Sequence, residues 1–316
     1  MATQHVLVAL GLCTVAVGCS GSCPEVLPAE ARPPAPNTML APPPTEARAP
    51  LREVAFQVGL EVMGRETNAA WVEVEVNGAK AKAILDTGAE ANVVQAWFLT
   101  AAKLSQEDLG NIDIKDSTGH SQKASVAKVR GTIAGWGEVT TPAIVIPTIE
   151  MFESVGVGMI VNPLLLSDGR AVQLDFPKRQ LRELAELSPP AGEVIETCSS
   201  TTRFADGEVL VTNRQVAHVT VAGLDTALAV DSGGRVTDVF RGSDAGEALV
   251  DKVSGSEEAA GALGTQAVAV VSDAVAVDVF GASFSLTGVR LSPTNKERTS
   301  CNEEGILGMD VLRHSN

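Results

Sequence analysis

Hydrophobic and polar positions alternate most cleanly in two stretches of the chain. Val74-Glu75-Val76 and Val219-Thr220-Val221 each read as a half-buried strand, because successive side chains of a strand point to opposite faces. A turn at Gly78 or Gly223 follows, then a second strand that closes on Ile84-Leu85-Asp86 or Ala229-Val230-Asp231. The Ala- and Val-rich run 267–279 is broken by Asp273 and Asp278, so it reads as strands rather than a membrane span. Aromatic residues make up 3% of the chain and Tyr is absent, which leaves Val, Ala, Leu and Ile to build the core. That composition leans toward β-structure.

The two stretches are copies of one unit in one register, since Asp231 lies 145 residues after Asp86. Ala134-Gly135 and Pro147 match Phe280-Gly281 and Pro293 at an offset of 146. Gly158 to Leu165 matches Gly305 to Leu312 at 147. The prediction is a mainly β protein of two homologous lobes, 51–185 and 203–316, joined by a linker over 186–202 that Ser188-Pro189-Pro190-Ala191-Gly192 punctuates. A length of 316 residues accommodates two domains.

The N-terminus has a different character. Val6 to Gly18 is an apolar run of thirteen residues, too short for a bilayer-spanning helix of about 20 and suited to the core of an export signal. Ala16-Val17-Gly18-Cys19 resembles a bacterial lipobox, which predicts a signal peptide over 1–18 and a lipid-modified Cys19. Nine of the sixteen prolines fall in residues 24–50, so 19–50 reads as a semi-rigid spacer. The expectation is an exported protein, either a membrane-anchored lipoprotein of the cell envelope or a secreted one. A net charge of −15 argues against nucleic-acid binding, which needs a basic face. No Cys-x-x-Cys pair supports a zinc or redox site, and His5, His120, His218 and His314 lack metal-ligand spacing. In an oxidising compartment Cys198 and Cys301 could form a disulfide.

Two Asp-[Ser/Thr]-Gly triplets at strand ends, in the same repeat register, carry the chemistry. Ile84-Leu85-Asp86-Thr87-Gly88-Ala89 resembles the catalytic signature of retropepsin-like aspartic proteases. Gly305 to Leu312 resembles the segment that ends each lobe in that superfamily, and Leu174-Asp175-Phe176-Pro177 resembles the closing strand of bacterial retropepsin-like domains. Two lobes in one chain resemble the pepsin arrangement, with lobes related by a pseudo-twofold axis. The resemblance implies Asp86 and Asp231 as the catalytic pair and Thr87 and Ser232 hydroxyls bonded across the axis. It also implies that Gly88, Ala89, Gly233 and Gly234 shape the two loops, and that a flap closes over the substrate, placed at Ser117-Thr118-Gly119. No metal or organic cofactor is called for. The physical logic is that two adjacent carboxylates cannot both ionise cheaply, so they share a proton and divide the roles of general base and general acid.

Several positions depart from the family pattern. Under the 147 offset Val161 falls opposite Gly308 and Pro163 opposite Asp310, which predicts a strained or shifted first catalytic loop, while Gly234 after Gly233 predicts a looser second one. No Tyr is available for a pepsin-like flap, and the second-lobe stretch from Val253 to Gly264 carries Glu257-Glu258. A counterpart of Leu174 to Leu184 is missing after Leu312, which predicts a reduced inter-lobe sheet. Two functions from different classes follow. One is a monomeric aspartic endopeptidase acting on extended peptide or unfolded polypeptide. The other is a catalytically silent, lipid-anchored peptide-binding protein on the same scaffold.

Overall fold

The computed structural model describes residues 51–316 except 63–64, 105–110, 116–120, 168–169, 186–194, 204–208, 261–264, 280, 294–300 and 315–316. The predicted signal, Cys19 and the spacer to residue 50 lie outside the described residues.

The first lobe is assembled from strands β1 (Glu53–Ala55), β2 (Gln57–Val62), β3 (Arg65–Val76), β4 (Ala79–Leu85), β5 (Val93–Gln95), β6 (Asn111–Lys115), β7 (Ser121–Ile133), β8 (Gly137–Ile146), β9 (Val157–Val161), β10 (Ala171–Asp175) and β11 (Gln180–Leu184). Helix α1 (Ala96–Ala101) follows β5, and α2 (Glu150–Ser154) precedes β9. The second half of the chain contributes β12 (Ile195–Arg203), β13 (Val209–Val221), β14 (Leu224–Val230), β15 (Asp238–Phe240), β16 (Val253–Ala260), β17 (Thr265–Val271), β18 (Val275–Val279), β19 (Ala282–Leu286), β20 (Val289–Ser292) and β21 (Gly305–Leu307), with α3 (Asp244–Val250) and α4 (Met309–Leu312).

The predicted alternation explains the opening hairpins. Val72, Val74 and Val76 of β3 are buried while Glu73 and Glu75 face out. Val219 and Val221 of β13 repeat the pattern. Each hairpin turns on two residues of positive φ, Asn77 (49°) with Gly78 (83°) and Ala222 (51°) with Gly223 (85°). Paired positive φ is the turn whose twist matches that of the strands it joins.

Among the described residues, the first lobe forms a sheet in the order β2-β3-β4-β9-β5-β8-β7-β6, and β7 also pairs β3. The second sheet runs β16-β17-β20-β15-β21-β14-β13-β18-β19, with β12 on β13. A third sheet, β1-β11-β10, stands apart. The two large sheets repeat one set of pairings. β4 runs parallel to β9 and β14 parallel to β21. β5 runs parallel to β8 and β15 parallel to β20. β3 pairs β7 as β13 pairs β18.

These registers correct one expectation. Leu85 sits opposite Val161 in the first sheet, and Val230 sits opposite Leu307 in the second. Val161 is therefore the counterpart of Leu307, not of Gly308. Asn162 stands where Gly308 stands, and Leu164, not Pro163, stands where Asp310 stands. Pairing Gly158 with Gly305 places these residues one position out of the register that the strands adopt.

Each large sheet encloses its own apolar cluster, one around Val72, Leu85, Phe98 and Trp136, the other around Leu228, Leu249, Leu291 and Leu307. Phe176, just after β10, packs against both. The small sheet is tied by Glu183, whose buried carboxylate receives Arg52 Nε at 2.8 Å and Arg170 Nη1 at 3.0 Å. Burial alone would raise the Glu183 pKa, but the bonds from Arg52 outweigh it and hold the carboxyl below its ordinary value.

Candidate active site

Strands β4 and β14 end one residue before Asp86 and Asp231. The Asp86 amide donates to the Val161 carbonyl at 2.9 Å, and the Asp231 amide to the Leu307 carbonyl at 3.1 Å. Each aspartate is thus fixed to the parallel neighbour of its own strand. The chain then folds back over its own carboxylate. Asp86 Oδ1 accepts from the amides of Gly88 (2.8 Å) and Ala89 (3.1 Å). Asp231 Oδ1 accepts from Gly233 and Gly234, both at 2.8 Å.

The two loops are bolted to each other reciprocally. The Thr87 amide donates to Ser232 Oγ at 3.0 Å, and the Ser232 amide donates to Thr87 Oγ1 at 3.0 Å. The Thr87 hydroxyl donates to the Val230 carbonyl at 2.7 Å, and the Ser232 hydroxyl to the Leu85 carbonyl at 2.8 Å. Residues 145 apart in sequence are brought face to face in this way.

Two glycines make room for the acids. A Cβ on Gly233 would lie 2.5 Å from Asp86 Cγ, and a Cβ on Gly88 would overlap the Asp231 carboxyl. Each carboxylate therefore rests over the glycine of the opposite loop, so both acids share one site. Burial is the largest influence on Asp86 and raises its pKa well above the ordinary value; the charge of Asp231 and a hydrogen bond with it act in the same direction. The Gly88 and Ala89 amides pull the other way. An acid held protonated beside a second acid can give a proton while its partner accepts one.

Sequence reasoning missed the polar groups behind the loops. In the second lobe the Asp310 carboxylate accepts from the Thr237 amide (3.0 Å) and hydroxyl (2.8 Å), and the Gly308 amide donates to Thr237 Oγ1 at 3.3 Å. In the first lobe Asn92 takes the place of Thr237, and its Oδ1 accepts from the Asn162 amide at 2.9 Å. Asn162 Nδ2 then donates to the Ala89 carbonyl at 2.7 Å, much as the Met309 amide donates to the Gly234 carbonyl at 2.8 Å. Asn92, Asn162 and Thr237 are all fully buried. Asn92 and Thr237 each lie six residues after their aspartate, a signal the repeat contained. The strain predicted at the first loop rested on Val161 standing at the Gly308 place; Asn162 stands there instead and fills the space with hydrogen bonds.

Charge is distributed unequally around the two loops. Glu90 follows Asp86 by four residues and pairs with Arg214 of β13 at 3.0 Å. Arg235 occupies the equivalent place after Asp231 and pairs with Glu257 of β16 at 3.1 Å, as does Arg290 at 2.5 Å.

The hairpin β6–β7 flanks the predicted flap, whose tip residues Ser117, Thr118 and Gly119 lie outside the described residues, as does Cys19. Trp136 sits in the β7–β8 turn, buried, its indole N–H donating to the Leu166 carbonyl at 3.3 Å, and so belongs to the core. Cys198 and Cys301 form a disulfide, with their Cα atoms 5.8 Å apart. Among the described residues, no helix is long and apolar enough to cross a membrane.

A family model described as aspartyl protease matches residues 72–161, from β3 through the end of β9. No curated protein matches the chain. Among solved structures, the protease of simian foamy virus (mac) is 22% identical, covering 29% of this chain and 87% of that one, at a TM-score of 0.22. A retropepsin-like aspartic protease from Rickettsia conorii is 15% identical, covering 42% of this chain and 91% of that one, at a TM-score of 0.30. The matched segment, residues 72–161, resembles aspartyl proteases and contains Asp86-Thr87-Gly88.

Proposed function

We propose that the protein is an aspartic endopeptidase in which Asp86 and Asp231 together activate a water molecule against a peptide bond. The observation that carries this reading is the mutual seating of the two carboxylates, each over the other loop's glycine. One member deprotonates the water while the other protonates the carbonyl oxygen, and no covalent intermediate forms. The elevated pKa of Asp86 keeps one proton on the pair under mildly acidic conditions, and hydrolysis fails once pH rises enough to ionise both. The substrate is an extended or unfolded polypeptide lying between two lobes related by a pseudo-twofold axis, and one chain suffices for the site. The test is hydrolysis of an unfolded protein across about pH 3–6, with and without a transition-state isostere inhibitor of aspartic proteases. Cleavage abolished by the inhibitor supports the reading; cleavage indifferent to it opposes the reading.

The same proposal places the enzyme outside the cytoplasm. Ala16-Val17-Gly18-Cys19 supplies a lipidation site at Cys19, and the proline-rich segment to residue 50 spaces the catalytic lobes from a membrane surface. A Cys19→Ser variant is expected to leave the membrane fraction, and its retention there would remove the lipid anchor from the account.

A further inference from the structure

Arg214 and its acidic partners are present on one side of the site only. By the strand registers, Arg214 corresponds to Ala69 of the first lobe, so no guanidinium stands at the mirror position. Arg214 reaches out of β13 toward the other lobe's catalytic loop, with Nη2 at 3.4 Å from the Gly88 carbonyl and Nε at 3.0 Å from Glu90. Its Nη1 is held from behind by Glu303 at 2.5 Å, a carboxylate with no exposed surface. The other oxygen of Glu303 accepts from the Cys301 amide at 3.2 Å. Cys301 is bonded to Cys198, and Cys198 lies directly across from Arg214 in the β12–β13 pairing. The disulfide therefore closes a small ring of contacts around the guanidinium.

We propose that Glu303, kept in place by the Cys198–Cys301 bond, is a positioning residue that holds Arg214 against the first-lobe catalytic loop and offsets its charge beside the acid pair. The proposal rests on the reading of Asp86 and Asp231 as the working pair. Burial lowers the Arg214 pKa, but the charges of Glu90, Glu303 and Asp231 and the hydrogen bond with Glu303 outweigh it and raise the value. Arg235, next in line, is occupied by Glu257. With Glu303 ionised, two carboxylates flank one guanidinium. Without that charge, the positive field of Arg214 on the pair is less compensated, and ionisation of the pair becomes easier.

The test is a titration of the Asp86 and Asp231 carboxyl carbons by NMR on the full chain, which needs no turnover. Glu303→Gln is expected to lower the upper apparent pKa of the pair by roughly half a unit. The variant with both Cys198→Ser and Cys301→Ser is expected to move it in the same direction, and adding Glu303→Gln to that variant to move it little further. A general loss of stability would lower the melting temperature and leave the titration where it was, and that result overturns the proposal, as does a fully additive shift. Should Glu303→Gln not fold, the serine variant alone decides, and an unmoved titration in it overturns the proposal. A wild-type chain that cleaves no peptide while showing these shifts would defeat the peptidase reading and leave this one standing.

Discussion

The loops 86–92 and 231–237 carry the same acid, the same hydroxyl bolt and the same glycine, yet they are backed by different chemistry. Behind Asp231, a threonine, a glycine amide and the carboxylate of Asp310 complete the hydrogen bonding. Behind Asp86, two asparagines do the same work. The front of each loop faces the other acid and tolerates little variation, because a single added methyl would strike a carboxylate. The back only has to satisfy buried donors and acceptors, and more than one set of side chains can do that. The difference shows that constraint in this fold falls off within one layer of side chains from the acids.

Substitutions on the two faces sharpen that contrast. The largest effect is expected from Gly233→Ala, whose Cβ would lie 2.5 Å from the Asp86 carboxyl. Displacing one acid of a pair whose geometry is set to fractions of an ångström should cost on the order of a thousandfold in kcat/KM. Next come Asn162→Ala and Asp310→Ala, each leaving buried partners unsatisfied. Both should lower stability by about 2–3 kcal/mol in denaturant unfolding, and near-equal losses would show that the two backings are equivalent. The smallest effect is expected from Gly234→Ala. Its Cβ would meet Asp231 Oδ2 at 3.1 Å, and the first lobe already carries Ala89 at that place, so kcat/KM should fall by less than about threefold.

Between these lies a prediction about pH, in which the lobes again differ. Asp238 of β15 is buried with both carboxylate oxygens on Ser292, and burial raises its pKa to about 6 against the opposing pull of those bonds. A raised folded pKa favours the protonated native state, so this contribution is present at acid pH and is lost as pH rises through about 6. Asp238→Asn should therefore stabilise the chain by about 1–2 kcal/mol at pH 8 and change little at pH 4, read from melting curves. Glu183 in the small sheet behaves oppositely. Its pKa is depressed below 4.5, so its contribution is present above that value and is lost as the solution is acidified further.

Much of this arrangement was legible in the sequence. The alternating strands, the turns at Gly78 and Gly223 and the paired Asp-[Ser/Thr]-Gly loops rest on local patterns, and local patterns survive folding. The register of β9 did not, and the reason is physical. Val157 to Val161 are all buried, so the segment shows no alternation that could distinguish one register from the next. Only the cross-strand partners, Leu85 with Val161 and Val230 with Leu307, reveal that Asn162 is the counterpart of Gly308. Arg214 and Glu303 were invisible for another reason. They lie 89 residues apart, and nothing local to either marks it as half of a buried pair.

The central claim is that two acids from different sheets act as one unit. Its most direct test is cleavage of an unfolded polypeptide at acidic pH by the wild-type chain, by Asp86→Asn and by Asp231→Asn, with folding of each checked by circular dichroism. The account predicts cleavage by the wild type and a loss of at least about ten-thousandfold in either variant alone, because members of a catalytic unit fail together. Substantial cleavage by either folded single variant would contradict it.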